Sequence, residues 1–395
     1  PSNSSAASDV YKRQTWHIIP GLTLKGQVGY RIASGMDKKD RNAYVFLDYF
    51  SGNESGTFGA VKSATYTTRT SYWMVGATLD WTKEFGDHRI NILGGWNEEV
   101  DRRNGWDDVA LLSFFGKAYY SYKDKYLAEV GIRRDGSSLF GDGHKWGNFP
   151  SVAVGWNVNR EPWMQNARFI DNFKIRASYG ISGNQGISAY QTLSRYGQHK
   201  YFNGGKWVTA IGPGYQSGTT GQDGIYALWS GIPNKGLKWE TTAQVDLGLD
   251  MSFFGNRLNV TFDWYDKRTS DLLRERNIAP SSGYDKMWVN DGEIRNRGIE
   301  LTIDGVAFQN RDWRVGGTFV FSRNRNKVLS LGNAVQTGLK TDLRTGMQYE
   351  YYGNQSEQFR AYTNILAVGQ PMYVFYGYRT DGIVPVSYTH LTLPT

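Results

Sequence analysis

Alternation of apolar and polar side chains, sustained over segments about ten residues long, constrains this chain more than any other feature. In Phe173–Ser182, Phe173, Ile175, Ala177, Tyr179 and Ile181 share one face, while Lys174, Arg176, Ser178, Gly180 and Ser182 share the other. Successive strand residues point to opposite sides of a sheet, so this is a strand with one oily and one charged face. Where such strands recur as long up-and-down hairpins, the simplest arrangement is a membrane barrel with lipid outside and water inside.

The pattern predicts eleven strands: Leu22–Arg31, Trp73–Thr82, Arg89–Val100, Leu112–Lys123, Tyr126–Arg134, Ser151–Asn159, Phe173–Ser182, Thr241–Phe253, Leu258–Lys267, Gly298–Val306 and Trp313–Ser322. An odd number would leave the two ends on opposite sides of a membrane. Short and long links alternate, which predicts periplasmic turns at one end and extracellular loops at the other. Tyr44–Phe50 is expected to add a small hairpin within the excursion over 32–70, Arg160–Asn172 a short helical turn, and 183–238 a very long loop. Ten residues at ~3.3 Å, tilted by ~45°, reach roughly 24 Å, enough for an apolar band of ~25 Å. Strands of soluble β-sandwiches are shorter, at about 5–6 residues.

Composition supports this class. The chain contains 14 Trp and 26 Tyr, the two residues that favour a membrane–water boundary. Trp81, Trp96, Trp156, Tyr122 and Tyr126 fall near strand ends, as a girdle would. No run reaches the ~18 apolar residues of a transmembrane helix. Cysteine is absent, so disulfides and thiolate sites are excluded, and the five histidines show no zinc spacing. The formal charge of +8 is dispersed rather than clustered, which argues against nucleic acid as a partner.

The termini look foreign to the rest. Ser4–Gln14 and Val386–Thr395 resemble translated adapter read-through. The expected organisation is therefore an artefact over 1–14, a barrel fragment over 15–385 and an artefact over 386–395.

Several motifs resemble the SusC/RagA-like branch of TonB-dependent outer-membrane transporters. They are Tyr120-Ser-Tyr-Lys-Asp-Lys-Tyr126, Arg133-Arg-Asp-Gly-Ser-Ser-Leu-Phe140, Trp146-Gly-Asn-Phe-Pro-Ser-Val-Ala-Val-Gly-Trp156 and Glu161-Pro-Trp163. Lys174–Gln185, Trp239–Thr242, Asp263–Lys267, Asn296–Leu301 and Phe375–Ile383 continue the series in family order. The resemblance implies a 22-stranded barrel, an N-terminal plug, energy from TonB and a SusD-like surface lipoprotein that helps capture glycans or peptides. Against that pattern the chain is expected to be a fragment of about half the barrel. It would lack the plug, the TonB-contacting segment and the closing strands, so transport is expected only of the parent protein.

Each motif also has a plainer reading. Arg133–Ser138 and Trp146–Pro150 flank an outside loop and can either contact ligand or anchor the loop, and the anchor is favoured. Asp135, Asp142 and His144 carry calcium-compatible oxygens and a nearby imidazole, but without EF-hand spacing. Glu129, Arg133, Lys174, Arg176, Asp246, Asp250, Glu300 and Asp304 fall on inward faces and suit a polar lumen. Asp246 and Asp250, four apart on a strand, are separated by ~13 Å, too far for a glycosidase pair. Neither Gly183–Gly186 nor Asn290–Glu293 matches a phosphate-binding loop.

The expected fold is an all-β, partial antiparallel up-and-down transmembrane β-barrel with long extracellular loops, in the outer membrane. No catalytic, cofactor-binding or metal-binding residue is predicted, no cofactor is expected, and the substrate-binding residues stay unassigned. Expected partners are outer-membrane lipid, TonB, the SusD-like lipoprotein and a glycan or peptide. The alternatives are a passive porin or adhesin barrel, and a secreted carbohydrate-binding β protein.

Overall fold

The computed structural model describes residues 2–41, 44–47, 54–58, 62–103, 107–164, 166–194, 196–213, 230–278, 286–332, 339–343, 345–355 and 362–376. Twelve antiparallel strands form one sheet, each hydrogen-bonded to the next in chain order. They are β1 (Ser2–Ile19), β2 (Leu22–Arg41), β3 (Lys62–Phe85), β4 (His88–Arg103), β5 (Asp107–Tyr122) and β6 (Tyr126–Ser137). Next come β7 (Trp146–Asn157), β8 (Ile170–Asn184), β9 (Glu240–Phe253), β10 (Leu258–Ser270), β11 (Glu293–Gln309) and β12 (Arg314–Ser330). Strands β1 and β12 are the two edges and do not pair with each other, so the barrel is partial.

All eleven expected strands are present, most of them longer at the loop end. The twelfth, β1, occupies the segment whose first fourteen residues look foreign. It pairs along β2 from Ser2 opposite Lys38 to Ile19 opposite Leu22. Main-chain hydrogen bonds satisfy an exposed edge whatever the side chains are, so pairing does not require barrel patterning. On its outward face β1 carries Lys12 opposite Val28 and Gln14 opposite Gly26, which interrupts the apolar band. With twelve strands, both ends of the sheet lie on the loop side, correcting the odd count.

The register carries one apolar face across the sheet. Val28 lies opposite Val75 and Leu24 opposite Leu79. Val130 lies opposite Val152, Tyr179 opposite Val245, Leu247 opposite Trp264 and Leu301 opposite Phe321. Because the side-chain period is two, a one-residue slip anywhere would turn this face inside out. Val130 is 58% exposed and Leu247 48%, as expected of side chains whose packing partner is lipid.

Tight turns close one end. At Tyr122–Lys125 both central residues have positive φ, 52° at Lys123 and 51° at Asp124, and the Lys125 amide donates to the Tyr122 carbonyl at 2.9 Å. That geometry matches the twist of the flanking strands. The expected helical link is two 3-10 turns, Val158–Arg160 and Pro162–Met164. At the other end, alternation of link length is less strict than expected, because β4 runs on to Arg103 and β5 starts at Asp107. Tyr44–Leu47 pairs with Glu54–Phe58 as the small hairpin foreseen. Within 183–238, Tyr196–Asn203 and Lys206–Pro213 form a further hairpin. Residues 377–395, including the end of the last motif and the segment 386–395, lie outside the described residues.

Candidate functional site

The inward face is a wall of charges of both signs, and strand register decides how they pair. Arg176 on β8 lies level with Gly248 on β9 and Asp263 on β10. Its guanidinium lies over Gly248, where an added Cβ would clash with Arg176 Cζ. The missing side chain lets Arg176 donate to Asp250 at 3.0 Å and reach Asp263, two strands away, at 2.7 Å. Arg176 therefore binds three strands into one unit. Nearby, Gln244 donates to Asp246 at 2.6 Å, Ser178 to the same carboxylate at 3.4 Å, and Lys117 Nζ to Glu129 at 3.2 Å. Further along, the Thr318 hydroxyl donates to Asp304 at 2.8 Å.

A shallow depression of about 310 Å³ lies beside Arg176, bordered by Glu129, Lys174, Ser178 and Asp246. Glu129, Arg176 and Asp246 are each matched to neighbours, while Lys174 adds a further positive charge to the wall. Such a wall hydrates a lumen and offers hydrogen bonds to a passing polar solute or a packed domain.

Above the wall, the larger of the two buried apolar clusters among the described residues lies chiefly in the loops. Leu139, Phe140, Phe149, Ile187, Ala189, Leu237 and Trp239 pack together there. Phe140 is 1% exposed. The Trp239 ring meets Phe140 and Phe149 at 5.3 Å each, and its indole N–H donates to the Lys145 carbonyl at 2.9 Å. Arg133 donates to Asp135 at 2.8 Å and to the Ser113 hydroxyl at 2.8 Å. The Ser137 hydroxyl accepts from the Leu139 amide at 3.1 Å. These contacts make the Arg133–Phe140 and Trp146–Pro150 motifs anchors that hold the loops over the wall. Asp142 pairs with Lys145 at 2.9 Å. Asp135, Asp142 and His144 are not brought together as ligands, and among the described residues no group of three or more His, Asp or Glu could hold a metal.

Two clamps escaped sequence reasoning. Asn290 accepts from the Lys238 amide at 2.8 Å and donates to the Lys238 carbonyl at 2.7 Å and the Asp271 carbonyl at 3.0 Å, tying two loops together. Glu161 lies at the opposite end, in the turn after β7, and is 8% exposed. It accepts from the Tyr126 hydroxyl at 2.7 Å, the Trp156 indole at 3.1 Å and Lys125 Nζ at 3.3 Å. Hydrogen bonds from Tyr126 and Trp156, and then from Lys125, hold its carboxyl below the usual glutamate range. The motif signalled that Glu161 matters, but not that it fastens two girdle aromatics. Tyr122, Tyr126 and Trp156 form one outward row at the turn end. Trp81 lies near the same end, whereas Trp96 pairs with Phe114 nearer the loops.

The chain matches the family model described as TonB dependent receptor-like, beta-barrel, over residues 3–389. It is 30% identical to TonB-dependent receptor P3 of Formosa agariphila, over 95% of this chain and 37% of that protein. It is 26% identical to TonB-dependent receptor SusC of Bacteroides thetaiotaomicron, over 80% of this chain and 32% of that protein. The fold resembles a solved structure of the RagAB peptide transporter with a TM-score of 0.74 and 20% identity, covering 94% of this chain and 39% of that one. The chain thus spans about a third of the length of the curated relatives it matches. With its outward apolar face, inward charged wall and loop-capped end, the chain is an outer-membrane barrel segment, and it belongs to the TonB dependent receptor-like β-barrel family.

Proposed function

We propose that the protein to which this barrel segment belongs imports oligopeptides or oligosaccharides across the outer membrane, driven by TonB and assisted by a SusD-like surface lipoprotein. The observation that supports it most is the charged inward wall tied across β8, β9 and β10 by Arg176, beneath loops anchored on Phe140 and Trp239. A rigid polar wall suits packing against a plug that moves, and ordered loops suit capture of a large solute. The peptide reading draws on the RagAB likeness and the sugar reading on the SusC relative. No bond-making chemistry is assigned to the chain.

Uptake of labelled oligopeptides and oligosaccharides by cells carrying the full-length gene, with and without TonB, tests this. Uptake of one class that is lost with TonB is expected. Uptake that persists without TonB would make the protein a passive pore, and no uptake of either class would remove both substrates.

A further inference from the structure

On the outward face the apolar band of β10, β11 and β12 ends abruptly in basic residues. Register places Arg268, Arg295 and Lys327 in one row across the three strands, and Asp266, Arg297 and Arg325 in the next. Arg323 stands opposite Ile299 in a third row. Below them the band resumes with Leu301 opposite Phe321 and Ile303 opposite Phe319. Six basic side chains thus gather against two carboxylates. Asp266 is taken by Arg295 and Glu293 by Arg268. Among carboxylates Arg297 faces only Asp266, which Arg295 already occupies, and Arg323, Arg325 and Lys327 form no ion pair among the described residues. Like charges directly opposite on neighbouring strands are destabilising, and here Arg268 faces Arg295 and Arg297 faces Arg325.

Height places the cluster at a membrane surface. From Trp313 at the turn end to Arg323 the strand climbs ten residues, or about 23 Å at ~3.3 Å per residue and ~45° tilt. That is the top of an apolar band of ~25 Å, on the side carrying the long loops, which is the cell surface. A hollow of about 340 Å³ opens at the same border. Tyr179, Ala243, Val245 and Trp264 form its apolar part, and Asp266, Arg268 and Arg295 its polar part. Apolar floor and basic rim together fit an amphiphile with an acyl chain and an anionic head.

The geometry points to a binding site for a phosphorylated glycolipid of the outer leaflet on the outward face of β10–β12. Phosphate groups would sit among Arg297, Arg323 and Arg325, with acyl chain over Val245 and Trp264. Several bases spread over three rows suit a head with more than one phosphate, and guanidinium groups suit phosphate oxygens in pairs. This contact is separate from solute import, since every residue in it faces away from the lumen.

The test uses the full-length transporter purified from outer membranes in mild detergent and stripped of lipid. Native mass spectrometry would follow addition of purified lipid A, phosphatidylglycerol or inorganic phosphate. Lipid A is expected to bind in preference to equimolar phosphatidylglycerol and to resist displacement by inorganic phosphate. The combined variant Arg297→Gln/Arg323→Gln/Arg325→Gln should bind lipid A roughly a hundred-fold more weakly. Arg134→Gln, also outward but on β6, should bind as the unaltered protein does. Heat-modifiable migration would verify that each variant is folded, and the lipid comparison on unaltered protein stands without them. Equal binding of both lipids, displacement by inorganic phosphate alone, or full binding by the folded combined variant would each overturn the site. Loss of TonB-dependent uptake would leave it untouched.

Discussion

The Tyr126 hydroxyl donates a 2.7 Å hydrogen bond to Glu161, joining the first residue of β6 to the turn that follows β7. Trp156 donates to the same carboxylate. One buried anion thereby orients two aromatic rings at the periplasmic rim, with apolar bodies outward and polar tips inward, as boundary aromatics require.

Stability should therefore depend on the ionisation of Glu161. Its folded carboxyl titrates below the ordinary glutamate value. Its contribution is complete above that ordinary value and is lost as pH falls through the lower, folded one. Glu161→Gln in the full-length barrel should flatten the acid limb of stability at and below the ordinary glutamate range. Denaturant midpoints measured across that range would show it, and parallel curves for variant and parent would refute the role.

Leu247→Arg or Val130→Arg should destabilise an intact barrel by about 2–4 kcal/mol, since both side chains face lipid. Thr261→Ala on the inward face should change stability little. Arg176→Ala is not a neutral inward control, because it strands Asp250 and Asp263 opposite each other's strands; a loss of about 1–3 kcal/mol is expected. Urea titrations in detergent compare the four. Equal losses at Leu247 and Thr261 would reverse the faces.

The hairpin of Tyr196–Asn203 and Lys206–Pro213 turns at Gly204 and Gly205, with φ of 57° and 81°. It rises from the loop end, so a protease site inserted there should be cut on whole cells. Cleavage that needs a permeabilised outer membrane would place the loops in the periplasm.

Polypeptide 1–395 expressed alone should not form a stable pore. Strands β1 and β12 leave two edges of unpaired N–H and C=O groups, each costing several kcal/mol in lipid and inviting aggregation in water. The measurement is migration with and without heating, together with conductance in planar bilayers. A heat-modifiable monomer that conducts would show that the edges close.

Much of the fold was legible because a strand's period of two is a local property of the backbone. Ile175, Ala177 and Tyr179 announce their common face without reference to any neighbour, and tight turns such as Tyr122–Lys125 announce themselves between such runs. Strand β1 was missed for the same reason. Its ladder is made by main-chain groups, whereas Lys12 and Gln14 do not write the apolar stripe.

The sequence by itself determined eleven of the twelve strands, their two faces, the loop-rich end and the family motifs. Tertiary structure alone decided which charges meet. Arg176 and Asp263 are 87 positions apart and join only because register sets Gly248 between them. Arg268, Arg297 and Arg325 look dispersed along the chain, and become one patch only when three strands align. Glu161 likewise acquires its role from a turn that folds back on β6 and β7. Periodicity is encoded residue by residue, but register and loop closure are set by contacts between distant segments, which no local pattern records.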